Sequence, residues 1–353
     1  MKTKKNHKKY ILLTLVIIAI IGSIRYLEKA NGDNQNMKKG APEFIGIENW
    51  LNSDPITLEE LKGKVVLVDF WTYSCINCIR TLPYITAWDE KYRESGLVVV
   101  GIHTPEFDFE KKPENVGKAI EKYNIRYPVG QDNSYATWNA FHNRYWPRKY
   151  LINYKGEIVY DHIGEGGYEE TEKKIQEFLQ ERAKSLKEKI EVEKKTINRT
   201  IDIDPRQIGT PEIYLGYQFT RGNFGNKEGL RPEQTIEYTI QKEVVPNNVY
   251  LQGKWKNNKD NVELISNTGK ILLIYQAKDL NIVAESNENT PAEVLLNTKP
   301  VKEEKGKDIT KGGIAIINES RLYNLVEAKD YKIRAIEINF KNSGVKVYTF
   351  TFG

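Results

Sequence analysis

Residues 65–78 read VVLVDFWTYSCINC: an apolar run broken only by Asp69, a short turn, and two cysteines spaced C-x-x-C. A near-continuous apolar run of this length predicts a strand buried on both faces over Val65–Trp71. From Cys75 to about Tyr92 the pattern turns helical, with Pro83 inside it. The pair therefore stands at a strand-to-helix junction, and Cys75 and Cys78 are the only cysteines in 353 residues. In that position a C-x-x-C reads as a thiol–disulfide exchange site.

Other uses of the pair fail on residue count. A tetrahedral zinc site needs two further ligands, and His7, His103, His142 and His162 show no spacing that supplies them. Covalent haem attachment needs His after the second cysteine, where Ile79 stands. A purely structural bridge would close a tiny loop and constrain the unfolded chain little. A peroxidase loop of the form P-x-x-x-T-x-x-C finds its threonine in Thr72 but has Val68 in place of proline. No metal or organic cofactor is expected.

The chemistry assigns distinct roles to the two thiols. A cysteine at a helix N-terminus meets the dipole and unpaired N–H groups that favour thiolate, so Cys75 is the expected nucleophile. Cys78, one turn further and facing the core, would resolve the mixed disulfide. That step needs a proton acceptor, and Asp69, a carboxyl inside a buried strand, is the candidate; an ion-paired or edge-facing Asp is the alternative.

The formal charge of +5 is misleading. Residues 1–40 hold nine Lys/Arg against two Asp/Glu, leaving 44 against 46 and a net −2 for the rest, so nucleic acid is not an expected partner. The basic residues flank ILLTLVIIAIIGSI at residues 11–24. Those 14 residues would span only about 21 Å as a helix, enough for a membrane span when flanking Tyr10, Arg25 and Tyr26 reach the interfaces. An uncleaved anchor is favoured over a cleaved, secreted form. Lysines before the segment keep the N-terminus cytoplasmic and place the rest outside.

The divisions read from the pattern are a basic tail and anchor helix at 1–30, a polar tether at 31–41, an α/β unit at 42–182, a Glu/Lys-rich helical linker at 183–204, and an all-β unit at 205–353. Leu97–His103 is a second buried strand; helices are expected over 112–123, 135–142 and from about Tyr168, with a hairpin turning at Gly156. After about residue 201 short β-type runs follow one another, among them EIYLGY, NVYLQGKW, KILLIYQ, IRAIEINF and VKVYTFTF. Their spacing predicts a jelly-roll-like antiparallel β-sandwich.

VDFWTYSCINC with Pro83 resembles the active-site strand and helix of the thioredoxin fold, and the insertion between Gly101 and Tyr150 resembles the TlpA and ResA type of that superfamily. GIHTPEF, YWPRKYLIN, HIGEGG, TPEIYLGY, RLYNLV and the terminal YTFTFG are similar to the exported portion of DipZ proteins, over about residues 41 to 353. The resemblance implies a mixed sheet flanked by helices and a cis peptide at Trp146-Pro147 beside the cysteines. Backbone groups of Trp146 would then pair with an extended substrate. Trp71, Tyr73, His103 and Glu106 are further candidate substrate contacts, the last two at the carboxyl end of their strand.

The function implied is extracytoplasmic reduction of disulfides in exported proteins, apocytochrome c among them. DipZ proteins resemble fusions to a CcdA-like membrane domain; this chain has one hydrophobic segment in its place, so a separate CcdA-like electron donor is expected. Two rival functions stand beside this one. A thiol oxidase uses the same residues in the opposite direction, and potentials in this superfamily run from roughly −270 to −120 mV. A surface protein would use the β unit, which resembles carbohydrate-binding modules, to hold glycan or cell-wall polymer, with Tyr217, Trp255 and Tyr323 as stacking platforms.

Overall fold

A computed structural model describes residues 40–199 and 203–353. The expected anchor helix and most of the tether lie outside the described residues, and among those described no helix is long and apolar enough to cross a membrane.

The first unit is built on β2 (Val65–Trp71), in which every residue is buried. Side chains alternate between faces along a strand. Val65, Leu67 and Trp71 enter the core on one face, and Val66, Val68 and Phe70 enter a second core on the other. Asp69 is odd-numbered and so belongs to the face of Trp71. Around β2 a six-stranded sheet forms from β1 (Asn49–Leu51), β3 (Leu97–His103), β4 (Val129–Gln131), β5 (Arg148–Ile152) and β6 (Ile158–Ile163), ordered β1-β4-β3-β2-β5-β6. The pairs β2–β3 and β3–β4 are parallel and the others antiparallel.

Helices α1 (Ile76–Tyr92), α2 (Pro113–Lys122), α3 (Ala136–Ala140) and α4 (Tyr168–Leu186) complete this unit. Ile85 and Trp88 of α1 and Ile175 and Leu179 of α4 share one core with Leu67 and Trp71. Helix α1 runs through Pro83. This is the thioredoxin fold.

The helical linker expected over 183–204 stops early. Helix α4 ends at Leu186, with Lys187 left-handed at φ 55°. Residues 188–199 then run without helix along the first unit. The Ile197 amide donates to Glu172 Oε2 at 2.7 Å, the Tyr84 hydroxyl to the Arg199 carbonyl at 2.6 Å, and Val192 is buried. Fixed partners on the redox unit outcompete the weak Glu/Lys pairs of an exposed helix.

The second unit is all-β and antiparallel. Twelve strands form one curled sheet whose main path is β14-β13-β17-β11-β9-β10-β18-β12-β16. These are β9 (Val249–Asn257), β10 (Val262–Leu264), β11 (Gly269–Gln276), β12 (Asp279–Glu285), β13 (Thr290–Leu296), β14 (Lys299–Pro300), β16 (Arg321–Glu327), β17 (Ile333–Phe340) and β18 (Lys346–Phe352). Off that path β7 (Ile213–Tyr214), β8 (Thr235–Tyr238) and β15 (Ile314–Ile317) pair with β18, β9 and β13. Strand β9 makes the curl: Val249–Gln252 pair with β11, whereas Gly253–Lys256 pair with β8 and Trp255–Asn257 with β10. Gly253, at φ 100°, turns the strand between them. The expected sandwich is thus one curled sheet around a common core that includes Leu251, Trp255, Leu273, Ile282, Tyr323 and Phe350.

The two units share apolar packing. Tyr214, Val283, Leu322 and Tyr348 belong to the same buried cluster as Cys78, Leu82, Phe107 and Phe109. Tyr348 meets Phe109 edge-on at 4.8 Å and Phe107 at 5.0 Å.

Candidate redox site

Cys75 is the N-cap of α1, with extended backbone at φ −76° and ψ 116°. Its Sγ accepts a hydrogen bond from the Cys78 amide at 3.3 Å, satisfying one of the orphan N–H groups of the first turn. Both cysteines are free thiols, Cys75 half-buried and Cys78 buried. Burial, followed by the hydrogen bond and charge of Cys75, pushes the Cys78 thiol well up. The pair is thus asymmetric, a partly exposed Cys75 sulfur beside a buried Cys78 thiol that burial keeps protonated.

Asp69 is the carboxyl whose charge Cys78 feels. It lies 1% exposed on the Trp71 face of β2, Oδ1 has no hydrogen-bond partner, and burial pushes its carboxyl up to about 7 although Lys149 pulls the other way. Its neighbour on β3 is Gly101, where an added Cβ would stand 3.0 Å from Trp71 Nε1 and 3.1 Å from Tyr127. Its neighbour on β5 is Lys149, fully buried, whose Nζ donates to the Gly164 carbonyl at 3.0 Å. Burial lowers the Lys149 pKa, while Asp69 and Cys78 oppose that fall.

The Trp146-Pro147 peptide is cis. Trp146 is half-buried, its indole N–H donating to the Thr104 carbonyl at 3.1 Å and its ring packing 4.3 Å from Trp138. The Pro147 carbonyl accepts from the Gly164 amide at 2.8 Å. Loop 164–167 thereby joins the cis-proline step, Lys149 and α1. Glu165 receives both Nε and Nη2 of Arg80 at 2.8 Å, and the same Nη2 donates to Asn77 Oδ1 at 2.7 Å, between the cysteines.

Three expected substrate contacts are corrected. Trp71 and His103 are fully buried and Tyr73 is 5% exposed, because the face they occupy is the packed one. His103 lies between the rings of Trp71 and Tyr73 at 5.2 and 5.7 Å, and burial lowers its pKa to about 3, so it stays neutral. The Tyr73 hydroxyl donates to the Ser320 carbonyl of the β unit at 3.1 Å. Its edge borders a polar cleft of ≈ 330 Å³ between the units, lined also by Lys118, Lys122, Ser286 and Arg321. Glu106 meets the β unit rather than open space: Tyr214 Oη is 2.7 Å from its Oε1. Trp255 and Tyr323 are fully buried and cannot be stacking platforms; Tyr217 is half-buried with its hydroxyl on Glu233 at 3.0 Å.

Sequence reasoning missed Lys149, Glu110 and the Arg80–Glu165 pair. Lys149 carried a signal, a cation that follows Arg148 directly into the buried part of the strand RKYLI. Glu110, fully buried, accepts from Ser74 Oγ at 2.6 Å and from the amides of Ser74, Glu106 and Phe107 at 3.3, 2.6 and 3.0 Å. Nothing in its local sequence marks it. Among the described residues no cluster of His, Cys, Asp and Glu is arranged to hold a metal ion.

Residues 36–179 match the Redoxin family model, and residues 210–353 match that of a "Thioredoxin like C-terminal domain". The thiol-disulfide oxidoreductase YkuV of Bacillus subtilis is 30% identical over 146 residues, 41% of this chain and 97% of YkuV. The chain belongs to the thioredoxin-like thiol-disulfide oxidoreductases. Among members of that family, ResA of Bacillus cereus is 26% identical over 179 residues, covering 50% of this chain and 97% of ResA. Protein DipZ of Mycobacterium tuberculosis is 35% identical over 316 residues, 89% of this chain. The match covers 43% of DipZ, so the chain spans less than half the length of that relative.

Proposed function

We propose that this oxidoreductase reduces disulfides of exported proteins on the outer side of the membrane. The observation that carries the reading is the asymmetry of the pair: an accessible Cys75 at a helix N-cap, and a buried Cys78 on the face that bears Asp69. Cys75 thiolate attacks one sulfur of the substrate disulfide, forming a mixed disulfide and expelling the other sulfur as a thiolate, which takes up a proton. Cys78 gives its proton to Asp69 and attacks Cys75 Sγ; the Cys75–Cys78 bond forms and the second substrate sulfur leaves reduced. A separate, CcdA-like membrane donor returns two electrons to the oxidised pair. The backbone at Trp146, before cis-Pro147, is the docking edge for an extended substrate segment. Residues 11–24 anchor the chain.

Acid quenching of intact cells followed by alkylation with a mass tag tests the direction. A mostly reduced Cys75–Cys78 pair outside the cytoplasm requires an electron supply and is the expected result. A mostly oxidised pair overturns the reductive direction and leaves a thiol oxidase.

A further inference from the structure

Where the β unit meets the loop after β3, one hydroxyl faces two carboxyls. Tyr214 Oη lies 2.7 Å from Glu106 Oε1 of the redox unit and 2.9 Å from Glu212 Oε2 of its own unit. A phenol has one hydrogen to donate. Two full hydrogen bonds at these lengths call for a second hydrogen, and Glu106, which burial favours in its protonated form, is the group beside the phenol that can hold it.

This bridge is tied to the nucleophile through groups already described. The Glu106 amide donates to Glu110 Oε2 at 2.6 Å, and Glu110 Oε1 receives the Ser74 hydroxyl at 2.6 Å and the Ser74 amide at 3.3 Å. Ser74 immediately precedes Cys75. Phe107 packs against Tyr214 and Tyr348 beside the path, and Ser74 and Glu110 are buried, which strengthens the polar contacts between them.

We infer that Tyr214 and Glu212 of the β unit are positioning residues for Cys75, acting through Glu106, Glu110 and Ser74, with the shared proton setting the state of the bridge. The inference rests on the thiol-exchange role of Cys75 but not on its direction. Burial and the facing Glu212 push Glu106 up to about 8. The charged and titratable groups around it are Glu110 on its own loop, Glu212, Tyr214 and Arg221 on the β unit, and Tyr135 ahead of α3. Arg221 lies over the Tyr214 ring at 5.0 Å and is the one cation among them.

The test is the iodoacetamide alkylation rate of Cys75 in the reduced full chain from pH 5 to 10, with the modified peptide identified by mass spectrometry. The wild-type profile is expected to require a second ionisation beside that of the thiol. Glu212→Gln removes the facing carboxylate and moves that ionisation down by about one unit; Tyr214→Phe removes the donor and moves it up. Ser74→Ala leaves the bridge intact and erases the second ionisation from the Cys75 profile. Tyr217→Phe, whose hydroxyl meets Glu233, should match wild type. A single ionisation in wild type, or a second one that stays in place in Glu212→Gln or survives Ser74→Ala, overturns the proposal. A parallel disulfide-reduction assay separates the two readings, because a wild type inert as a reductase but showing the coupled profile counts only against the reductive direction.

Discussion

Asp69 and Lys149 are register partners on β2 and β5, an acid at 1% exposure and a base at 0%. Gly101 flanks Asp69 on the other side with no side chain, and Lys149 is the cation that acts on the acid. Burial dominates that attraction, and the carboxyl therefore takes up a proton near neutral pH, the range in which the proposed transfer from Cys78 would run.

Asp69→Asn removes the acceptor and keeps the shape. Release of reduced substrate from the mixed disulfide should slow by about 100-fold, while formation of the mixed disulfide is little changed. In wild type the release step should accelerate as pH rises through about 7, as Asp69 loses its proton. Stopped-flow kinetics of both steps decide; equal slowing of both would remove Asp69 from the resolving step.

Stability carries the opposite sign. Asp69 keeps its proton up to about 7 in the folded chain, against about 3.9 when unfolded. Between these values the folded state binds more protons, so Asp69 destabilises progressively as pH rises from about 4 to 7, by on the order of 4 kcal/mol. Urea unfolding at pH 5 and pH 8 should show Asp69→Asn gaining on wild type at the higher pH. A difference between the two proteins that does not change with pH would contradict the raised carboxyl.

Cys78→Ser should accumulate mixed disulfides with substrate, because the accessible Cys75 still attacks and nothing resolves it. Cys75→Ser should accumulate none, since Cys78 is buried. Non-reducing gels of cell extracts read both, and similar trapping by the two variants would reverse or dissolve the assignment.

The Arg80–Glu165 pair predicts two shifts of opposite sign in redox potential. Arg80→Met removes a cation near the thiolate and favours the disulfide, lowering the potential; Glu165→Gln leaves Arg80 unopposed and raises it. Each change should be on the order of 1 kcal/mol, about 20 mV for a two-electron couple. Glutathione titration measures both, and shifts of the same sign would show that Asn77 geometry, not charge, governs the pair.

Phe109 joins the units by packing against Tyr348. Phe109→Ala should cost about 3–5 kcal/mol, and calorimetry should show one transition lowered as a whole. Two separated transitions in wild type would mean that the shared core contributes little.

The sequence was most readable where one rule acted alone. The β2 run, the helix after Cys75 and the β-rich second half follow from hydrophobic periodicity, and the helix cap from the C-x-x-C position. The cis peptide at Trp146 came from resemblance, since X-Pro chemistry does not select it. Long-range contacts were hidden: Glu110, Tyr214 and Ser320 lie 36, 108 and 247 positions from their partners Ser74, Glu106 and Tyr73, separations that no local pattern spans. Trp71 and Tyr73 read as candidate substrate contacts because aromatic residues beside a motif suit either role, and His103 because it ends its strand; only the packing around them assigns all three inward. The helical linker failed because charge pairs hold an isolated helix weakly.

The Tyr73–Ser320 hydrogen bond joins residues 247 positions apart. At about 5–20 residues per second of synthesis, Ser320 follows Tyr73 by roughly 12–50 s. Throughout that interval the Tyr73 hydroxyl is without its Ser320 partner, so the loop before the cysteines gains this contact only once most of the β unit has been made.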